Sequence, residues 1–445
     1  MNRRTMLKLL GGGAAAVGLR PPIFAAGEKT DQFFIIIHAA GGWDVTLWSD
    51  PRNERKGLVE PASSANTDPG HLKHWKAARL DGGVTTFEPL SPGNTSLRLG
   101  PAIGDLYELR DRMTIVNGLA MNTVSHDDGT TFSVTGRHRQ GGTIPASSVD
   151  VMLANELGTT QILPDVVLRY PASYVGDQLD RRVIPMRIQQ VESLVKTLDR
   201  TDQYFLDDDR ADITAVLTDE ARRLAERAKH PQAYQQLASQ HTALPSLLAN
   251  DFKQAFGVRA LQTKYPTFNY RSRSQGNGAL SAAFAVEALS RNLVRCIGFG
   301  FGGLDTHNAN YRGHALTLQD LFDAVATMVK LLDATPHPVR RSSMLSEHTH
   351  ILIVSDFCRT PQINLLGGRD HYPNNSALVI SPKFRGGREF GKTDPEQVLP
   401  ATSVKFSDGP RPIAPPDLLA TFISAFGIDP RRYLRDGEVV KEMLV

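Results

Sequence analysis

A set of short, unbroken apolar runs constrains this chain most, because each one ends in a polar or glycine-rich turn. Phe33-Phe34-Ile35-Ile36-Ile37 leads into His38-Ala39-Ala40-Gly41-Gly42-Trp43-Asp44, and Ile351-Leu352-Ile353-Val354 leads into Ser355-Asp356. Runs of this length, rich in β-branched residues and without polar alternation, read as strands covered on both faces, the pattern of a parallel sheet. Met113 to Gly118, Val166 to Leu168, Leu293 to Phe301 and Ser376 to Ile380 repeat the pattern. Helix-periodic segments lie between them at Ser147 to Glu156, Ala279 to Asn292 and Ala315 to Leu332. Strands alternating with helices predict an α/β fold with three layers, α/β/α, around a mostly parallel central sheet.

Two regions depart from that alternation. Residues from about 191 to 256 are charged, alanine-rich and helix-periodic, which predicts a helical insertion over the sheet. Arg52 to Ser96 is rich in Gly, Pro, Ser and Asn and reads as an extended loop region. With these accommodated, residues 27–445 are expected to form a single domain.

The N-terminus has a separate logic. Asn2-Arg3-Arg4-Thr5-Met6-Leu7-Lys8 precedes an apolar, glycine-rich run from Leu9 to Val17, and small residues, Ala25 and Ala26, follow. Basic, apolar and small segments in that order predict a secretory signal over residues 1–26, and the paired arginines predict the twin-arginine route. The expected location is therefore periplasmic or secreted, with the twin-arginine export machinery as a partner. No later stretch reaches the roughly 18 apolar residues of a membrane span, so no stable span is expected. The formal charge is +3 and four basic residues, Arg3, Arg4, Lys8 and Arg20, fall in the signal, which leaves about −1 for the rest. A near-neutral chain gives no reason to expect nucleic acid as a partner. The two cysteines, Cys296 and Cys358, are too few for a disulfide framework, and spacing alone leaves open whether they pair.

Acids and histidines recur where the predicted strands end: Asp44, His126, Asp305, His307, Asp356, Asp370 and His371. Ligand sites in open α/β sheets lie outside the carboxyl ends of the strands. Carboxylates mixed with imidazoles suit Zn²⁺, Mn²⁺ or a related divalent ion, and a cation would offset the cost of burying acids after apolar strands. Asp44, His126, Asp305, His307, Asp356 and His371 are the expected ligands of one or two ions (Zn, Mn, Mg or Ca). Each also has a plainer reading as a helix cap, a turn acid or a surface histidine, so the repeated placement carries the signal. Arg359 and Arg369 are candidates to hold an anion by bidentate contacts. His138, His314 and His350 read as structural or surface histidines. A dinucleotide-binding glycine fingerprint in its strand–turn–helix context is absent, as is a cysteine cluster, which disfavours redox chemistry.

At these positions the sequence resembles the bacterial domain of unknown function 1501 family over nearly all of the chain past the signal. The most specific pieces are Gly41-Gly42-Trp43-Asp44, Asp305-Thr306-His307, Ser355-Asp356-Phe357-Cys358-Arg359-Thr360-Pro361, Gly368-Arg369-Asp370-His371 and Ala414-Pro415-Pro416-Asp417. That family is similar to the alkaline phosphatase and sulfatase superfamily. The resemblance implies an alkaline-phosphatase-like sheet with one or two metal ions at the strand ends. It places Asp305, His307 and His371 at one metal site and Asp356 at the other, which Asp44 and His126 are expected to complete. It also implies a hydrolase or transferase acting on a phosphate, sulfate or related anionic ester, a glycan ester among them. Counting back from Thr135 and Gly136, the sulfatase nucleophile position falls on His126, which has no hydroxyl or thiol. Activated water is therefore expected as the nucleophile, and His126 joins Arg359 and Arg369 as the candidate catalytic residues. The alternative expectation is an exported metal-binding or assembly protein on the same fold without catalysis.

Overall fold

Alternate side chains of Phe33–Ala39 (β1) enter two different cores, which is why its apolar run is unbroken. In the computed structural model of the protein, Phe33, Ile35 and Ile37 belong to one cluster and Phe34 and Ile36 to another, all fully buried. The structure describes residues 31–52, 71–79, 85–158, 161–176, 178–198, 207–228, 252–271 and 276–445.

The central sheet has eight strands. They are β1, Met113–Asn117 (β2), Leu163–Leu168 (β3), Met186–Ile188 (β4), Val294–Phe301 (β5), Thr349–Ser355 (β6), Ser376–Ile380 (β7) and Arg388–Gly391 (β8). Their spatial order is β8-β2-β7-β6-β1-β5-β3-β4. β1 lies parallel to β5 and β6, and β3 lies parallel to β4 and β5. β7 is the exception, running antiparallel to both β2 and β6. Its apolar run is buried on both faces like its neighbours', and side-chain burial carries no sign of strand direction.

The described helices are His126–Thr135 (α1), Val149–Leu157 (α2), Val191–Leu198 (α3), Asp207–Arg227 (α4), Phe252–Phe256 (α5), Val258–Lys264 (α6), Gly276–Ser290 (α7), Ala315–Ala334 (α8) and Pro415–Ser424 (α9). Side chains of α7 and α8 complete one apolar cluster, and side chains of α2 and α9 complete the other on the opposite face. The result is the three-layer α/β/α arrangement. The insertion region contains α3, α4 and α5, so its helical reading holds where residues are described. The glycine- and proline-rich region contains a small hairpin, Ala77–Arg79 with Thr85–Phe87, where only loop was expected. Cys296 and Cys358 are both buried and unpaired. The expected signal, residues 1–26, lies outside the described residues. Among the described residues no helix is long and apolar enough to cross a membrane.

One buried pair sits awkwardly in this frame. Asp150 near the start of α2 and Asp165 in β3 are fully buried against each other, with Tyr170 and Cys296 beside them and Arg187 as the nearest opposing charge. Burial raises both carboxyls, and for Asp165 the charge of Asp150 adds to it. If both were ionised, two negative charges would be enclosed together with Arg187 as their opposing charge. A proton shared between them removes that cost.

A raised folded-state pKa means that the folded chain binds more protons than the unfolded chain. The pair's stabilising contribution is thus complete below the unfolded carboxyl pKa, about 3.9, and declines as pH rises toward the folded value. Asp165→Asn is expected to increase unfolding free energy at pH 8 by on the order of 1–3 kcal/mol. The gain should shrink as pH falls toward 4, as read from urea unfolding at each pH. A gain independent of pH, or a loss at pH 8, would refute the shared proton.

Candidate functional site

The strands leave their ends at one edge, and the turns that follow bring distant residues together there. After β1 the chain reverses through Gly41, at φ +113, a backbone conformation that disfavours any side chain. A Cβ at Gly41 would also stand 2.3 Å from the Asp305 nitrogen, so the β1 turn and the loop after β5 approach as backbone against backbone. Gly368 plays the same part on the other side, where a Cβ would stand 2.0 Å from the His307 carbonyl carbon.

β6 ends at Ser355, which puts Asp356 at this edge, 2% exposed. Its Oδ2 accepts from the Gly41 amide at 3.0 Å and faces His126 Nδ1 at 2.6 Å. Its Oδ1 lies 2.8 Å from Nε2 of His38, a buried residue of β1. Burial acts to raise the Asp356 carboxyl. The charge of His38 and the hydrogen bond with His126 outweigh it and hold the group well below the usual carboxylate range.

His126 opens α1. With Nδ1 engaged by Asp356, its Nε2 points at Asp305 Oδ1, 3.2 Å away. His307 repeats the plan: Nδ1 meets Asp370 Oδ1 at 2.7 Å, and Nε2 lies 3.2 Å from Asp305 Oδ1. His371, in the short strand His371–Tyr372, turns Nδ1 to the Val124 carbonyl at 2.8 Å. Its Nε2 lies 3.2 Å from His307 Nε2 and 3.6 Å from Asp305 Oδ1. In each ring the outer nitrogen is committed to an oxygen acceptor, which turns Nε2 toward the centre, where His307 Nε2 also meets Arg359 Nη1 at 3.4 Å. Metal-binding histidines are oriented in this way by their outer partners.

The electrostatics of the cluster favour a cation. Partial burial acts to raise the Asp305 carboxyl, but the hydrogen bond from Arg359 and the charge of His126 outweigh it and bring its pKa to about 2. The hydrogen bond to Asp356 raises the His126 imidazole, and burial lowers that of His371. Among the described residues Asp305 pairs with Arg359, while Asp356 and Asp370 meet imidazoles alone, which leaves two negative charges in excess when those imidazoles are neutral. One oxygen and three nitrogens stand 3.2–3.6 Å apart along the contacts just described. Donors about 2.0–2.1 Å from a tetrahedral ion would be separated by roughly 3.3 Å. His126, Asp305 and His371 offer ligand atoms within 4.8 Å of one another and form the group that could hold a divalent ion, with His307 beside it.

Other expected site residues are held elsewhere. Asp44 is fully buried and caps the turn Val45–Leu47; its Oδ1 accepts from the Thr46 amide and hydroxyl, and its Oδ2 meets Asn310 at 3.0 Å. The same Oδ2 pairs with Arg369 Nε at 3.0 Å. Expected as a metal ligand, Asp44 is instead enclosed by these partners, away from the imidazoles. Arg369, expected as an anion clamp, is fully buried and also donates to the carbonyls of Thr360 and Pro361. Arg359, the other expected clamp, is 1% exposed. It donates to the carbonyls of Gly41, Gly42, Leu304 and Arg369 and to Asp305 Oδ1. Both arginines thus tie loops together and have no donor edge turned to solvent. Asp356 supports His126 from behind and does not enter the central group.

His38 was not among the expected site residues. Its signal was present: a histidine inside an apolar strand needs a buried polar partner, and Asp356 ends the adjacent strand. His314 is structural, as expected. It is fully buried, accepts the Asp44 amide at Nε2, meets the Thr306 hydroxyl at Nδ1, and is pushed down to about 3 by burial. Phe357 packs on the rings of His126 and His371, with centroids 4.7 and 4.6 Å away.

Removing the Asp44 charge would strand Arg369 in the interior. Asp44→Ala is expected to lower unfolding free energy by about 3–5 kcal/mol, measured by urea unfolding, while the metal content of the protein that remains folded stays unchanged. Loss of metal without loss of stability would return Asp44 to the ligand set.

Comparison with known proteins adds the following. The sequence profile of a family described as protein of unknown function (DUF1501) matches residues 32–438. No curated protein sequence matches the chain. Among solved structures, it is similar to Ps i-CgsB in complex with k-i-k-neocarrahexaose, at TM-score 0.37 and 10% identity, covering 92% of this chain and 75% of that one. It is similar to a protein in the alkaline phosphatase superfamily from Vibrio parahaemolyticus, at TM-score 0.32 and 9% identity, covering 100% and 80%. It is also similar to the PsFucS1 sulfatase from Pseudoalteromonas sp., at TM-score 0.34 and 10% identity, covering 98% and 72%. These likenesses are distant, so function is argued from the site. With the profile spanning both halves of the sheet and every site residue described above, this chain belongs to the DUF1501 family of proteins of unknown function.

Proposed function

We propose that this protein is an exported metal-dependent hydrolase or transferase for a phosphate, sulfate or related anionic ester, with activated water as the nucleophile. One observation carries the reading. The Nε2 atoms of His126, His307 and His371 gather around Asp305 Oδ1, and every Nδ1 is engaged by an outer acceptor. His126, Asp305 and His371 would hold a divalent ion, with His307 poised beside them against Asp305. Such an ion supplies positive charge that polarises an ester oxygen and makes water acidic enough to attack near neutral pH. The motif resemblance to phosphatases and sulfatases supports an anionic ester.

The chain's own residues have separable tasks. Asp356 orients His126 and keeps its Nε2 unprotonated when a cation is present. Asp370 does the same for His307. Arg359 fixes Asp305 against the β1 turn. None of the clustered residues has a hydroxyl or thiol, which favours water. The alternative, a metal-binding or assembly protein without catalysis, is supported by Phe357 covering the faces of His126 and His371. Export rests on the paired Arg3 and Arg4 before the apolar run.

Metal analysis of the purified protein is expected to find a bound divalent ion, with His371→Ala and Asp305→Ala losing it. Asp356→Asn should retain the site but weaken metal affinity by about 10- to 100-fold, because His126 is no longer oriented. Unchanged metal content in the two alanine variants would overturn the site. Turnover of aryl phosphates or sulfates supports the enzyme, whereas inactivity with metal fully bound favours the alternative.

A further inference from the structure

Beside the histidine cluster lies a cavity of about 290 Å³ that the proposed chemistry does not use. One wall is α1, through Asp127, Thr130 and Thr131; the other includes Arg139, Ala172 and Arg187. Thr130 follows His126 by four residues on the same helix, so the two share nearly one face about 6 Å apart along the axis. β3 ends at Leu168 and β4 at Ile188, so Ala172 and Arg187 also belong to the carboxyl end of the sheet. The cavity therefore opens at the edge that carries the cluster.

Its lining has a consistent chemistry. Asp127 is the only acid, mostly exposed and held at 3.0 Å by Arg139 Nη1. Arg139 Nε is shielded from solvent and has no hydrogen-bond partner. Arg187 is exposed and donates through Nη2 to the Ala172 carbonyl. The Thr131 hydroxyl is spent on the Asp127 carbonyl, within the helix. Ile144, Pro171 and Ala172 make the rest of the lining largely apolar, so the charge in this recess comes from its two guanidinium groups, one with an unmet donor, and these suit a single oxyanion: sulfate, phosphate or carboxylate.

We propose that this cavity binds a second anionic group of the substrate, so that the substrate is polyanionic, with a short spacer between the reacting ester and the group held by Arg139 and Arg187. The proposal rests on the reading of the cluster as an ester-processing site, but anion binding in the cavity does not require the metal.

The test uses full-length protein and inorganic sulfate or phosphate alone, followed by calorimetry. Wild type and His371→Ala are both expected to bind the ion, and the double variant Arg139→Gln, Arg187→Gln to bind about tenfold more weakly. Arg187→Gln alone, at an exposed position, should fold normally and weaken binding severalfold, which keeps the test valid if the double variant is unstable. Binding that disappears in His371→Ala yet survives both arginine substitutions would place the anion at the cluster and overturn the proposal. So would absence of binding in the wild type. Failure of the ester reading alone would appear differently, as no metal and no turnover with anion binding intact.

Discussion

The guanidinium of Arg359 is the connection on which the edge of the sheet depends. It reaches the carbonyls of Gly41 and Gly42 after β1, of Leu304 after β5 and of Arg369 before the last histidine, and it grips Asp305. A buried cation must have its donors met, and here they are met by three separate loops. The same interaction that satisfies the charge therefore sets the distances between loops that carry Asp305, His307 and His371. Because the carbonyls are strong acceptors and the guanidinium is buried, small displacements of any loop leave a donor unpaired.

Around this connection the charges sort into two groups. Asp44 and Arg369 neutralise each other in the interior. Asp305, Asp356 and Asp370 outnumber their arginine, and imidazole lone pairs are directed into the excess. The first group holds the loops and the second carries the excess negative charge. Residue type alone does not separate them, since Asp44 and Asp305 are both acids following apolar strands. The difference is which neighbour each one meets.

The degree to which the sequence was legible follows from the range of the forces involved. β1, β2, β5 and β6 were readable because burial on both faces demands an unbroken apolar run, a local property. Asp305, His307, His371 and His126 were readable as ligand types at strand ends. The antiparallel course of β7 was not readable, since direction is set by the connection and leaves the run's composition unchanged. Asp44 was misplaced for a similar reason: its partner is 325 positions away, and only the folded chain brings Arg369 to it. His38 was overlooked because its strand looked complete without it, although an imidazole in such a strand implies a partner.

The chain by itself determined the layered α/β/α architecture, the covering of each strand on both faces and the stock of acids and imidazoles at one edge of the sheet. These follow from periodicity and hydrophobic burial, which act between near neighbours. The tertiary structure alone decided which acids are spent on arginines, which imidazole nitrogens turn inward, and that a basic cavity lies alongside. Those outcomes depend on hydrogen bonds and charge contacts a few ångströms long between residues far apart in sequence, and such contacts exist only once the loops have closed.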